Sequence, residues 1–284
     1  MSDTTTSPVT PSEIENVFGD GRDARAMLPA PTARAEWSRY LAFLQRPVLP
    51  EVVGAGAQPL KVTARILGLD LLIMTAFISV LMLIVAIGFE LPDNLNSTLE
   101  MNLTTVALVV VVAPIMEELV FRSWLSGRPG YLLAFAVLIA SGLVAAMMGA
   151  SNTGEEAQLA VGISMLVGLV LAAASLFALR RRPPMRWFRK LFPVLFWLST
   201  LSFALVHLFN YTEGALAILL PLVLPQFVLG SMAAYLRVHY GLIWAIVLHA
   251  AHNGFAIGVA ALAMTAEGGQ RGLRFNIEMV RDLF

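Results

Sequence analysis

The chain contains no cysteine, which excludes disulfides, thiolate metal ligands and a cysteine nucleophile and leaves its redox compartment undetermined. Charge is also scarce. Only 13% of the 284 residues are Asp, Glu, Lys or Arg, against about a quarter in soluble domains. Basic and acidic residues balance at 19 each, so no electrostatic excess draws the chain to nucleic acid. The first sixty residues, opening "MSDTTTSPVTPSE", have neither a basic n-region nor an early apolar stretch, and no cleavable signal peptide is expected. What is abundant is oil: 58% of the residues are hydrophobic, the composition of a membrane protein.

Seven apolar stretches approach or reach the roughly 20 residues that cross a bilayer: about 66–89, 103–124, 131–150, 158–179, 191–209, 214–236 and 241–264. None alternates as barrel strands do, so the expected fold is all-α, a polytopic bundle of seven to eight transmembrane helices. The flanks alternate in charge. Arg46, Lys61 and Arg65, then Arg128, then the run "RRRPPMRWFRK", then Arg237 fall on one side; Glu90, Asp93 and Glu100, then Glu155 and Glu156, then Glu213 fall on the other. The positive-inside rule therefore puts the N-terminus in the cytoplasm, and the protein is expected to be integral to the cytoplasmic (inner) membrane.

Three regions are expected. Residues 1–60 form a polar, partly disordered segment whose stretch 33–46, with Trp37, Tyr40, Leu41 and Leu44 at helical spacing, suits an interfacial helix or a helix docked on the membrane domain. Residues 61–265 form the transmembrane domain, and 266–284 a tail placed outside by seven spans or carrying a shallow eighth helix. No repeat relates the two halves, and Pro221 with Pro225 predicts a kink in the sixth span.

Ionisable groups within spans cost a few kcal/mol each, and their default reading is functional. Asp70, close to the start of its span, is read as a local cap or interfacial residue. The others are Glu117, Glu118 and Arg122 in "PIMEELVFR", His207 in "FALVH", and His249, His252 and Asn253 in "HAAHNG". Glu118 and Arg122 are spaced as an i,i+4 ion pair, which turns Glu117 about 100° away toward the bundle interior. Phe203 shares a face with His207, and a single helical histidine is usually an interhelical hydrogen bonder. His249 and Asn253 project together, with His252 on an adjoining face, and this pair can present donors to a developing oxyanion.

Equally, Glu117, His207 and His249 have the composition of a two-histidine, one-carboxylate zinc site, although no H-E-x-x-H signature is present. Counted from the basic ends of their spans, Glu117, His249 and Asn253 lie about 10–20 Å deep; His207 comes out deeper, which calls for a bend at Pro193 or an interfacial first turn.

The motifs E-E-x-x-x-R, F-x-x-x-H and H-x-x-x-N, in that order on three apolar segments, resemble those of the CPBP family of CAAX-prenyl endopeptidases and bacteriocin-processing proteases, also called Abi proteins. The resemblance covers about 103–260. It implies an intramembrane endopeptidase acting on a membrane-associated protein or peptide, with Glu117 as general base, His207 as its partner in activating water, and His249 with Asn253 stabilising the oxyanion. Glu118, Arg122 and Phe203 would support them. Such a site works with zinc or without metal.

One departure stands out: about 85 residues separate the first two motifs, and the added length holds a helix pair within about 131–190. The rival reading from the residues alone is a membrane scaffold, or a transporter of small solutes that uses the buried acids and histidines as a proton relay.

Overall fold

The computed structural model describes residues 29–50, 58–95, 102–151, 154–179 and 181–268. The expectations for the first 28 residues and for the tail beyond residue 268 lie outside them. The described chain is helical, and its one β-type contact is an isolated bridge between Asn94 and Tyr211. Helix α1 is Ala33–Gln45, α2 Pro59–Ala86, α3 Leu103–Ser126, α4 Pro129–Ser151, α5 Glu155–Leu179, α6 Arg186–Val206, α7 Leu216–Leu222, α8 Leu224–Tyr240 and α9 Leu242–Gly268.

Among the described residues six helices are long and apolar enough to cross a bilayer, and α7 with α8 makes a seventh that is bent by 43°. This is an all-α polytopic membrane protein. The bend falls at Val223, between Pro221 and Pro225, as expected where two prolines remove backbone donors within five residues.

The core is organised around α8. Residues Leu229 to Tyr240 are buried on every face, and the run contains Gly230, Ser231, Ala233 and Ala234, small residues that let neighbouring helices approach closely. Helices α2, α6 and α9 surround it. Helix α1 sits on α2 and α8. Thr32 caps it by accepting from the Ala35 N–H, and buried Glu36 accepts from the Ala30 N–H at 2.7 Å and lies 3.7 Å from Arg65 of α2. The Trp37 indole donates to the Arg65 carbonyl at 2.7 Å. Tyr40 hydrogen-bonds Ser231 of α8, and burial pushes its hydroxyl pKa up to about 12, so two neutral hydroxyls meet.

The basic flanks converge at one end of the bundle. Leu49, Pro50, Ser126, Arg128, Pro184 and Arg237 line one small crevice there, and the Met185 N–H donates to the Gly127 carbonyl at 2.9 Å. At the opposite end the Thr212 N–H donates to the Asp93 carbonyl, which joins the segments that follow α2 and α6.

Helices α4 and α5 form a hairpin that packs mainly on itself and meets the rest chiefly at the last turn of α3. Both are apolar around much of their circumference, with Leu143, Met147, Leu166 and Phe177 among the exposed side chains, so lipid is their solvent. Their contact depends on small residues. Ser164 Oγ donates to the Ser141 carbonyl at 3.3 Å, and a Cβ at Gly168 would lie 2.1 Å from Ser141 Oγ. Gly168→Leu is therefore expected to destabilise the hairpin by about 1–3 kcal/mol, read as a lower unfolding midpoint in detergent; an unchanged midpoint would show that the two helices do not meet there.

Candidate active site

Helix α3 carries the acids, and its irregularity starts with Pro114. Proline has no N–H and its ring clashes with the carbonyl four residues back. The helix responds with a π turn over Leu108–Val112, in which the Ala113 N–H reaches the Leu108 carbonyl. In that register the Val109 carbonyl faces residue 114, which has nothing to donate. Asn253 Nδ2 of α9 fills the position at 2.9 Å. The proline thus generates the unpaired acceptor that draws α9 against α3.

The far end of α3 tightens into a 3₁₀ turn, Ser123–Ser126. Terminal carbonyls need donors from elsewhere, and Arg237 of α8 supplies them: Nε donates to the Arg122 carbonyl at 2.9 Å and Nη2 to the Ser123 carbonyl at 2.8 Å. Ser199 Oγ of α6 donates to the Phe121 carbonyl at 2.6 Å. Between these fixed ends lie Glu117, Glu118 and Arg122.

Glu118 and Arg122 are fully buried and paired at 3.1 Å, in the i,i+4 register that their spacing predicts. The pair has a third member. Glu118 Oε1 also accepts from His249 Nδ1 at 2.9 Å, so this carboxylate joins α3 to α9 as well as bracing its own helix. The Arg122 guanidinium lies over the Phe203 ring, 3.8 Å from its centroid, a separation at which cation–π attraction is strong. Gly230 of α8 makes room for both, since a Cβ there would come within 2.9 Å of Arg122 Nη2 and of Phe203 Cδ1. Gly230 is not legible in the sequence, because one glycine among small residues carries no signal until its neighbours are known.

Glu117 faces the other way. Its side chain keeps 31% of its surface exposed, whereas those of His207 and His249 keep 15% and 4%. Glu117 Oε2 lies 3.9 Å from His207 Nε2 and 3.8 Å from His249 Nε2, and it has no hydrogen-bond partner in the protein. His207 opens the 3₁₀ turn His207–Asn210 that continues α6. Its Nδ1 donates to the Phe203 carbonyl at 2.8 Å, which turns Nε2 toward Glu117. Both imidazoles are therefore oriented through Nδ1 and present Nε2 to one carboxylate. The ring of Phe203 stands edge-on to both, with centroids 4.8 Å from His207 and 5.6 Å from His249.

Residues from three helices thus meet where α3, α6 and α9 adjoin. The excess depth of His207 has a geometric explanation: Phe188 lies against Gly127 while Ser199 lies against Phe121, so the stretch 188–199 of α6 spans only the end of α3, from Phe121, and the glycine that follows it. Helix α6 is unbroken through Pro193 and runs obliquely, and a residue count along it overstates its advance.

Asp70 needs correction. It is a fully buried residue in the interior of α2, bonded through Oδ2 to His252 Nδ1 at 2.6 Å, and not a helix cap. The helix begins earlier than the apolar stretch does, at Pro59, which carries Asp70 well inside it.

A zinc ion would require Glu117, His207 and His249 to close on one point. Their chemistry is suitable, and the unpartnered Oε2 is an available ligand, but the spacing is not: donors about 2.0–2.1 Å from one tetrahedral zinc lie only about 3.3 Å from each other. Among the described residues no group of three or more His, Asp or Glu side chains has metal-holding geometry. A water molecule, at hydrogen-bond lengths of about 2.8 Å, bridges groups 3.8–3.9 Å apart without any movement.

A family model described as "Type II CAAX prenyl endopeptidase Rce1-like" matches residues 99–255, more than half of the chain and all seven motif residues. The chain belongs to this Rce1-like family. No curated protein and no solved structure matches it. The family match begins after α2, so Asp70 lies outside it, and it runs through the α4–α5 hairpin.

The buried network around Glu118 gives a direct expectation. Arg122→Ala leaves that carboxylate without its guanidinium, and breaking a buried ion pair from one side costs about 3–5 kcal/mol. Gly230→Val should act in the same direction by forcing Arg122 and Phe203 apart. Both are measured as unfolding midpoints in detergent, and wild-type midpoints in both would contradict the network.

Proposed function

We propose that the chain is an intramembrane endopeptidase in which Glu117 activates a water molecule held between it and the two histidines. The observation that carries this reading is the convergence of His207 Nε2 and His249 Nε2 on the buried, unpartnered Oε2 of the partly exposed Glu117 side chain, in a chain of the Rce1-like family. A proton relay would need polar groups strung out across the span, whereas these cluster at one level.

In the proposed reaction His207 Nε2 accepts one hydrogen bond from the water and orients it, because its own proton is committed to the Phe203 carbonyl. Glu117 takes a proton from the water as the oxygen attacks the scissile carbonyl carbon, and the carbonyl becomes a tetrahedral oxyanion. Collapse of that intermediate breaks the C–N bond, and the proton on Glu117 passes to the leaving amine.

His249, held through Nδ1 by Glu118, turns Nε2 toward the reacting carbonyl and stabilises the oxyanion. Asn253 contributes its second amide hydrogen, the first being donated to Val109. No step is routed through a metal.

The gathering of the basic helix ends supports a cytoplasmic setting for that end of the bundle, and with it a cytoplasmic N-terminus, by the positive-inside rule. Glu117 then lies about 14 Å from the Ser126 end of α3, so the scissile bond is cut within the cytoplasmic half of the cytoplasmic membrane. The family name suggests a prenylated C-terminal tail as substrate, presented from the bilayer.

The test uses purified full-length chain in detergent with fluorogenic peptides ending in a CAAX sequence, prenylated and unprenylated. Wild type is expected to cleave, and Glu117→Ala to lose the 10²–10⁴-fold typical of general-base help. Asn253→Ala should keep a measurable residue, since one oxyanion donor is worth about 10²–10³. Wild-type turnover by Glu117→Ala would overturn the assignment. Exhaustive chelation is expected to leave turnover unchanged; its loss, restored by added zinc, would overturn the metal-free mechanism.

A further inference from the structure

Beside the motif residues lies a second buried acid–histidine contact, and it has no part in the reaction above. Asp70 of α2 is fully buried and bonds through Oδ2 to His252 Nδ1 of α9 at 2.6 Å. Its other oxygen, Oδ1, has no hydrogen-bond partner in the protein. His252 is also buried. A carboxylate in a membrane span is costly, and this one bonds none of the residues placed in the reaction, so its cost has to be offset by what it holds in place.

What it holds is α9. That helix carries His249 and Asn253 to the site, and it is tied to α3 by His249 on Glu118 and by Asn253 on Val109. Both ties lie on one face. His252 lies about 100° around the helix from Asn253 and is the tie to α2. A rod fastened along one line can roll about that line, and a fastening on a second face stops it. With side chains at a radius of about 5–6 Å, a roll of about 10° moves an imidazole by roughly 1 Å, and misplacement of that size costs about 100-fold in rate.

We propose that Asp70 and His252 are a positioning pair that fixes the rotational setting of α9, and through it the placement of His249 and Asn253 opposite Glu117. The inference rests on the proposed peptidase reading for its kinetic arm and is independent of it for its spectroscopic arm.

The experiment compares wild type, Asp70→Ala, Asp70→Asn, His252→Ala and Tyr40→Phe as full-length proteins in detergent. Tyr40→Phe removes a buried hydrogen bond between α1 and α8 while keeping the ring that packs in the core and both members of the Asp70–His252 contact. With the prenylated peptide, Asp70→Ala and His252→Ala are expected to lower kcat by about 10–100-fold with KM within twofold. Asp70→Asn keeps an acceptor for the His252 N–H and should retain kcat within a few-fold of wild type. Tyr40→Phe should lower the unfolding midpoint and leave kcat unchanged.

Wild-type kcat in Asp70→Ala, or a loss that follows the unfolding midpoint through Tyr40→Phe as well, would overturn the proposal. The ¹⁵N resonances of the His249 ring, assigned by substitution among the four histidines, report its setting without any turnover. They should change in Asp70→Ala and return in Asp70→Asn; identical His249 resonances in wild type and Asp70→Ala refute the positioning role even if wild type cleaves no peptide at all. Absence of cleavage with those resonances shifted as expected would instead count against the peptidase reading alone.

Discussion

The carboxylate of Glu118 is the constraint on which the site depends. It is fully buried, and one oxygen accepts from Arg122 on its own helix and from His249 across the bundle. An acid in this position is tolerable only with both partners in place, so the conformation of α3 and the approach of α9 are fixed together. Glu117, one residue earlier, is turned away from that network by helical geometry. Adjacent identical residues therefore acquire opposite character: Glu118 is fastened and inaccessible, and Glu117 keeps an unpartnered oxygen on a partly exposed side chain.

Around this acid pair the bundle supplies its missing donors and acceptors in a consistent way. Each irregularity of α3 is answered by a side chain from another helix. The acceptor left over by Pro114 and the π turn is taken by Asn253, and the carbonyls at the 3₁₀ end are taken by Arg237. In lipid an unanswered backbone group costs several kcal/mol, so these contacts define which helices can adjoin α3 and in what register. Gly230 then sets how near α8 comes, because the space a side chain would fill is occupied by Arg122 and Phe203. The α4–α5 hairpin stands apart from this logic. It answers no backbone group of α3 beyond its last turn and holds together through its own small residues.

Much of this was readable from the residues. Span number, the bend between Pro221 and Pro225 and the Glu118–Arg122 register follow from local periodicity and proline chemistry, which act over a few residues. The turning of Glu117 away from its neighbour follows from the same geometry. What was not readable depends on how helices cross. Asp70 reads as a cap because the apolar stretch starts later than the helix does, and its partner His252 is far away in sequence. His207 looked too deep because residue counting assumes helices parallel to one another, whereas α6 crosses α3 obliquely. The second tie of Glu118, to His249, was hidden because an i,i+4 arginine already accounted for the acid. Pro114 was visible in the sequence, but the carbonyl it leaves unpaired, and hence the position of Asn253, emerges only from the π turn.

The account stands on Glu117 of α3 facing both His207 of α6 and His249 of α9. Since the chain has no cysteine of its own, paired cysteines measure this directly in the membrane. Glu117→Cys combined with His207→Cys, and separately with His249→Cys, should cross-link with a short thiol-reactive bridge, while Glu118→Cys with His207→Cys should not. Failure of both Glu117 pairs to cross-link, with the Glu118 pair reacting instead, would contradict it.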